Sequence, residues 1–255
     1  MKKDKKPQKV GGLRAVELNY RPIREISSGR TVCYHSQTRL NSPKLGVIMP
    51  ESYRDVAEMS VQCLNLFSLE FAQALEAAEK FTEREVAYSW LSVYMPIWFL
   101  NEKKAEKKAL EMCEKYGIPT NKICFELSER LLAETDGIAS EAIKNMRNRG
   151  FHFMLSDFGG DSCPMMRLAD FPVDYVMLSP QVANYIGRDE RSDSAVKSII
   201  GFVSDMGCEA IADGVSNSRQ AEMLYEFECS YCTGTLAGKY VTERFVRQKN
   251  DENDQ

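Results

Sequence analysis

The feature that most constrains this chain is an alternation that begins near residue 16 and runs almost to its end. Short runs rich in β-branched and aromatic residues are each followed by a longer stretch with apolar residues at helical spacing. The runs at 16–23, 31–36, 85–93, 122–127, 151–156, 174–178, 209–212 and 230–233 read as strands. The stretches 50–81, 101–116, 133–149, 181–206 and 218–228 read as helices, with Gly117 and Gly150 placed as C-caps. In 50–81 the helical spacing is carried by Val56, Met59, Leu64, Phe67 and Phe71. Eight strands alternating with helices in 255 residues, with no Pro/Gly-rich linker after residue 15, predict a single α/β domain, a closed (β/α)8 TIM-like barrel. Ser27-Ser28-Gly29 reads as a hairpin turn, so the first strand pair is expected to be antiparallel. The runner-up, an open doubly wound sheet, lacks the Gly-rich phosphate loop that should follow its first strand. The expected division is a disordered basic tail at 1–15, the barrel at 16–247 and a second disordered tail at 248–255.

Charge narrows the function classes. The net charge of −4 argues against sequence-independent nucleic-acid binding, which needs a basic face. Lys2, Lys3, Lys5, Lys6 and Lys9 read as a solvated tail rather than a membrane contact. No apolar segment follows this charged start, and the longest mostly apolar run, 91–100, is about half a membrane span. A soluble cytoplasmic protein without membrane or nucleic-acid partners is expected. The eight cysteines then read as reduced thiols. Cys229 and Cys232 form a CxxC, but no second ligand pair stands at zinc-site spacing, so buried thiols are the expectation.

In a barrel, the functional groups stand at the C-terminal ends of strands. Those positions hold His35, Tyr94, Glu126, Ser156, Asp157, Ser179, Asp213 and Thr233. Glu126, Asp157 and Asp213 stand out, because converging carboxylates repel unless a cation or protons neutralise them. They are weak candidates for a hard-cation site. Ordinary turn and cap roles for the same residues are at least as good a reading, since Asp157 precedes Phe-Gly-Gly and Asp213 precedes Gly214.

Tyr20-Arg21-Pro22-Ile23, Phe125-Glu126-Leu127-Ser128-Glu129, Leu155-Ser156-Asp157-Phe158-Gly159 and Ala212-Asp213-Gly214-Val215-Ser216 follow one another in an order that resembles the EAL-domain family of cyclic-di-GMP phosphodiesterases. Tyr20-Arg21-Pro22-Ile23 resembles its YQPI strand, and Cys33-Tyr34-His35-Ser36-Gln37-Thr38-Arg39 takes the place of the naming motif. Pro50, Tyr53 and Ala57-Glu58 follow the P-x-x-F-x-x-x-AE stretch. Phe125-Glu126-Leu127-Ser128-Glu129 resembles L-E-[LI]-T-E, and Leu155-Ser156-Asp157-Phe158-Gly159 resembles D-D-F-G. Pro172-Val173-Asp174 resembles P-V-D, Ala212-Asp213-Gly214-Val215-Ser216 resembles A-E-G-V-E, and Thr233-Gly234 stands at Q-G. The resemblance covers residues 16 to 245 and implies an EAL-type barrel that hydrolyses one phosphodiester bond with two divalent cations, Mg²⁺ or Mn²⁺.

Against that pattern the chain is degenerate. His35 replaces the naming glutamate, Tyr94 an asparagine ligand, Ser156 the bridging aspartate, Met177 the K-I-D lysine and Ser179 its aspartate. Asp213 shortens one glutamate, while Ser216 replaces a second and Thr233 the glutamine. Glu126, Asp157 and the phosphate-holding Arg39 persist; Arg39, Glu126, Asp157 and Asp213 are the vestigial ligand-binding candidates. The loss of a bridging ligand, a terminal ligand and a cation together predicts that the chain is not an enzyme and needs no cofactor beyond weak residual Mg²⁺ or Mn²⁺ binding. The expected function is a catalytically inactive pseudoenzyme that binds a regulatory protein partner in cyclic-di-GMP signalling. The alternatives are a receptor that binds cyclic-di-GMP without cutting it, and a residual or altered metal-dependent phosphodiesterase built on His35 with the three carboxylates. Met165, Met166 and Phe171 are either an adaptable interface or ordinary packing against the barrel. A homodimer is left open, because Phe-Gly-Gly-Asp-Ser-Cys-Pro departs from the family's usual dimer segment.

Overall fold

The period of two in each predicted strand turns one set of side chains inward and the other outward, and this closes the sheet around two cores. The computed structural model describes residues 9–10, 13–134, 137–160 and 163–247. Its barrel strands are β1 (Val16–Glu25), β2 (Thr31–Ser42), β3 (Leu91–Tyr94), β4 (Ile123–Leu127), β5 (His152–Phe158), β6 (Tyr175–Leu178), β7 (Glu209–Ala212) and β8 (Tyr231–Cys232). The ring closes as β1–β8–β7–β6–β5–β4–β3–β2–β1. β1 is antiparallel to both of its neighbours, and every other pairing in the ring is parallel. This is the predicted (β/α)8 TIM-like barrel with its antiparallel opening pair, and Gly29 makes the turn with φ +67°.

The longer helices are α1 (Cys63–Glu83), α2 (Ala105–Tyr116), α3 (Ile138–Arg147), α4 (Glu190–Asp205) and α5 (Ser218–Glu226). α1 buries Phe67, Phe71, Ala74, Leu75, Ala78 and Phe81, a stripe at steps of three and four residues. That stripe packs on the outward faces of β1 and β3. The outward residues Phe125, Phe153, Leu155, Val176 and Leu178 join the same outer core. The inward set Ile23, Cys33, Trp90, Cys124, Met154, Met177 and Ile211 forms a separate layer that plugs the barrel.

Several boundaries differ from the sequence expectation. Part of the expected disordered segment 1–15 is ordered: Lys9–Val10 pairs with Leu13–Arg14, and Arg14 bonds Glu76 of α1 at 3.1 Å. Residues 1–8, 11–12 and 248–255 lie outside the described residues. The expected strand 85–93 begins only at Leu91. Val86, Tyr88 and Trp90 alternate with exposed neighbours, so the period of two reflects burial of an extended segment joined to β2 by two backbone bonds, Ser89 to Val32 and Trp90 to Tyr34. The expected helix 50–81 is divided into Pro50–Ser52, Arg54–Glu58 and α1, and Val56 and Met59 are 69% and 82% exposed. The expected helix 181–206 is also divided, because Gly187 turns at φ +76° and Asp189 caps α4 through Ser192 N.

Candidate functional site at the barrel mouth

Two residues beyond the plug layer, the inward positions of several strands reach the mouth. Cys33 leads to His35, Cys124 to Glu126, Met154 to Ser156 and Ile211 to Asp213; on the reversed β1, Ile23 leads back to Arg21. Register places Arg21 opposite His35 and Tyr94 opposite Glu126. A cavity of about 440 Å³ opens here, lined among others by His35, Arg54, Tyr94, Glu126, Asp157 and Asp213.

Two cationic or donor side chains of the protein cover two of its carboxylates. His35 Nε2 lies 2.8 Å from Glu126 Oε2, and Arg21 donates to Asp213 Oδ1 at 2.5 Å. His35 Nδ1 lies 2.6 Å from the Tyr240 hydroxyl, and the Arg21 guanidinium sits 4.5 Å from the centre of the Tyr240 ring. Burial pushes Glu126 up, but the attraction and hydrogen bond of His35, with Arg54, outweigh it and hold the carboxyl below its ordinary range. Asp157 has no such cover among the described residues. Burial and the charges of Glu126 and Asp213 push its carboxyl up to about 6, against an opposing pull from His35. Its backbone is left-handed, with φ +58°, which aims the carboxyl into the open mouth.

The helical turn Arg54–Glu58 forms a lip over one side. Arg54 stacks 3.7 Å from the centre of the Tyr94 ring and bonds Glu70 of α1 at 3.3 Å. Glu70 is 1% exposed and also accepts from Thr38 Oγ1 at 2.5 Å; burial pushes its carboxyl up against the pull of Arg54. Glu58 accepts from the Tyr94 hydroxyl, and its carbonyl accepts from Trp98 Nε1 at 2.8 Å. Arg130 reaches Asp55 at 2.7 Å and Glu58 at 3.8 Å.

The cavity lining brings together His35, Tyr94, Glu126, Ser156, Asp157 and Asp213 from the strand ends, with Met177 beside them. It does not bring in Arg39, which lies further along β2 opposite Glu17 and outside the cavity lining. Ser179 caps the turn Pro180–Ala183, Ser216 bonds Gln220, and fully buried Thr233 donates to the Pro22 carbonyl at 2.9 Å. Cys229 and Cys232 are buried thiols raised by burial to about 12 and about 11. Met165 and Phe171 pack on the barrel, while Met166 is 76% exposed. Sequence reasoning missed Arg21, Arg54, Arg130 and Tyr240 as site residues. Counting back by two from the apolar Ile23 finds Arg21; no local signal marks Tyr240.

The two divalent cations implied by the resemblance do not fit these donors. Glu126 and Asp213 are already engaged by His35 and Arg21, and neither Ser156 nor Met177 supplies a carboxylate or ammonium. Among the described residues no group of three or more His, Cys, Asp or Glu side chains converges as a metal site. Among the described residues, too, no helix is long and apolar enough to cross a membrane.

A family model described as "EAL domain" matches residues 12–240. The chain is 23% identical over 228 residues to the cyclic di-GMP phosphodiesterase RocR of Pseudomonas aeruginosa, covering 89% of this chain and 58% of that protein. It is 26% identical over 188 residues to the cyclic di-GMP phosphodiesterase PdeB of Shewanella oneidensis, covering 66% of this chain and 22% of PdeB. Among solved structures, the EAL enzyme Bd1971 in its cAMP- and cyclic-di-GMP-bound form superposes with a TM-score of 0.80 at 21% identity, over 90% of this chain and 63% of that one. The FimX EAL domain of Pseudomonas aeruginosa, bound to c-di-GMP, superposes with a TM-score of 0.77 at 13% identity, over 90% and 91%. These structural likenesses establish the fold.

One expectation is corrected. The expectation that the chain is not an enzyme is overturned by curated relatives named cyclic di-GMP phosphodiesterases, RocR and PdeB among them. Replaced side chains do not by themselves establish a lost reaction, and protein donors stand beside the remaining carboxylates Glu126 and Asp213.

Proposed function

Because the chain belongs to the EAL-domain family, whose model covers residues 12–240, we propose that its barrel mouth recognises cyclic-di-GMP and does so without divalent cations. The observation that carries this reading is the set of protein donors already seated on the mouth's carboxylates, His35 on Glu126 and Arg21 on Asp213. These pairs do locally what cations would otherwise do, lowering the field that an anionic ligand meets. The EAL relatives solved with cyclic-di-GMP support the ligand class. Arg130 is the phosphate anchor best placed to exchange partners. Its side chain is 46% exposed and its contact with exposed Asp55 is a surface ion pair, worth little on its own. A guanidinium released from such a pair suits a phosphate oxygen.

The test is titration of cyclic-di-GMP into the wild-type chain and Arg130→Gln. Saturable heat is expected from the wild type, with affinity weakened roughly tenfold in the variant for one lost charge-assisted contact. No heat with the wild type would remove the reading.

A second reading adds a regulatory protein partner at the lip. Val56 and Met59 lie one helical turn apart and are 69% and 82% exposed, with Val61 at 52% and Trp98 at 44% nearby. Met59→Glu should abolish a partner's co-purification while leaving dinucleotide binding intact; unchanged co-purification would remove this reading.

A further inference from the structure

We infer that Tyr240 is the positioning residue of the mouth, holding both His35 and Arg21 on their carboxylates. This rests on the recognition reading above and extends it to a residue outside every motif that carried the family resemblance. The hydroxyl of Tyr240 stands 2.6 Å from His35 Nδ1, and its ring lies under the Arg21 guanidinium at 4.5 Å. No other hydrogen-bond partner of the Tyr240 hydroxyl is seen among the described residues. Val241 pairs with Tyr20 in the short antiparallel strand Val241–Thr242, and this sets Tyr240 beside Arg21.

The proton positions follow from what each group can do. An ionised carboxylate only accepts, so Glu126 requires the proton on Nε2 of the imidazole. In the neutral ring Nδ1 is then an acceptor, and the Tyr240 hydroxyl is the donor that meets it. The line therefore runs Tyr240 O–H to Nδ1, and Nε2–H to Glu126. With both nitrogens engaged, the ring cannot turn over, and Nε2–H stays on Glu126. On the other face of Tyr240, stacking holds the guanidinium flat while it donates to Asp213 at 2.5 Å. One side chain thus supports both donor–carboxylate pairs.

The experiment reads the imidazole nitrogens of ¹⁵N-labelled, ligand-free protein by long-range ¹H–¹⁵N correlation at alkaline pH. The chain has two histidines, and His152 at the opposite end of the strands serves as internal reference. In the wild type, His35 is expected to carry its proton on Nε2 with Nδ1 hydrogen-bonded. In Tyr240→Phe, which keeps the ring under Arg21, the Nδ1 resonance is expected to move downfield while His152 stays in place. A wild-type proton on Nδ1, or identical His35 signals in both proteins, overturns the inference. The wild-type spectrum alone decides the proton position if the variant fails to fold. Tyr240→Leu removes hydroxyl and ring together and is expected to weaken cyclic-di-GMP binding roughly tenfold, the effect of losing support for two pairs; unchanged affinity overturns the positioning role. Absence of dinucleotide binding in the wild type would instead defeat the recognition reading, and the nitrogen spectra would still decide where Tyr240 acts.

Discussion

Unlike Glu126 and Asp213, Asp157 has no protein donor on its carboxyl among the described residues. Its carboxyl is pushed up to about 6 by burial and by Glu126 and Asp213. A carboxyl whose folded value lies above its unfolded one binds its proton more tightly in the native state. Its contribution to stability therefore falls as pH rises from about 4 to about 6, and the full penalty persists above that. Asp157→Asn should raise stability at pH 7.5 by roughly 1 kcal/mol, a figure discounted for exposure to solvent, or about 2–4 °C in Tm. Asparagine also tolerates the left-handed backbone at φ +58°. At pH 4 the gain should vanish, and thermal melts at the two values check this. The same group makes recognition of an anion pH-dependent: protonating Asp157 removes a negative charge, so cyclic-di-GMP should bind more tightly at pH 5.5 than at pH 7.5. His35, Glu126, Ser156 and Asp213 were legible as mouth positions because a period of two carries each strand from plug to mouth, whereas Asp157 enters one residue later through its left-handed backbone. Tyr240 was not legible, because its place comes from a two-residue edge strand paired with β1 across some 220 residues of chain, Val241 to Tyr20.

At the scale of elements, the lip is fixed from beneath by α1. Glu70 of α1 is buried and depends on Arg54 and Thr38 for its partners. Arg54→Ala should cost roughly 3–5 kcal/mol, because it leaves a buried carboxylate uncompensated; the double variant Arg54→Ala, Glu70→Leu should recover much of it. Chemical denaturation of the three proteins checks the difference. A second fixed point follows β8, where Gly234 turns at φ +138°. A Cβ there would stand 2.3 Å from the Val215 carbonyl oxygen. Gly234→Ala is expected to destabilise by more than about 2 kcal/mol, since both the backbone and its neighbour would have to move. The element types were legible from periodicity, and the breaks were less so. Val56 and Met59 match the helical spacing of the core stripe yet face solvent, because Arg54–Glu58 is turned to roof the mouth instead of continuing α1. Apolar spacing alone does not tell a buried stripe from an exposed one.

For the whole molecule, closing the ring has an electrostatic consequence. It gathers Glu51, Asp55, Glu58, Glu126, Asp157 and Asp213 round one cavity, against Arg54 and Arg130 in the same lining, with the His35 imidazole bonded to Glu126. Arg21 beneath adds one more positive charge, committed to Asp213. On the proposed reading, a dinucleotide with two phosphates settles there because protein donors already sit on Glu126 and Asp213. The barrel and its antiparallel first strand were readable from the order of elements, since closure follows from strand count and inward–outward patterning. The pairing of donors with carboxylates was not, because it joins β1 to the end of β7 and β2 to β4, residues 192 and 91 positions apart in the two hydrogen bonds.

The central claim is that the mouth recognises cyclic-di-GMP with its own side chains in place of divalent cations. It is tested most directly by calorimetric titration of cyclic-di-GMP into chelator-treated protein, repeated after addition of Mg²⁺ and then Mn²⁺. The account predicts saturable binding with the chelator present and an affinity that either metal leaves essentially unchanged. Heat that appears only after a divalent ion is added would contradict it.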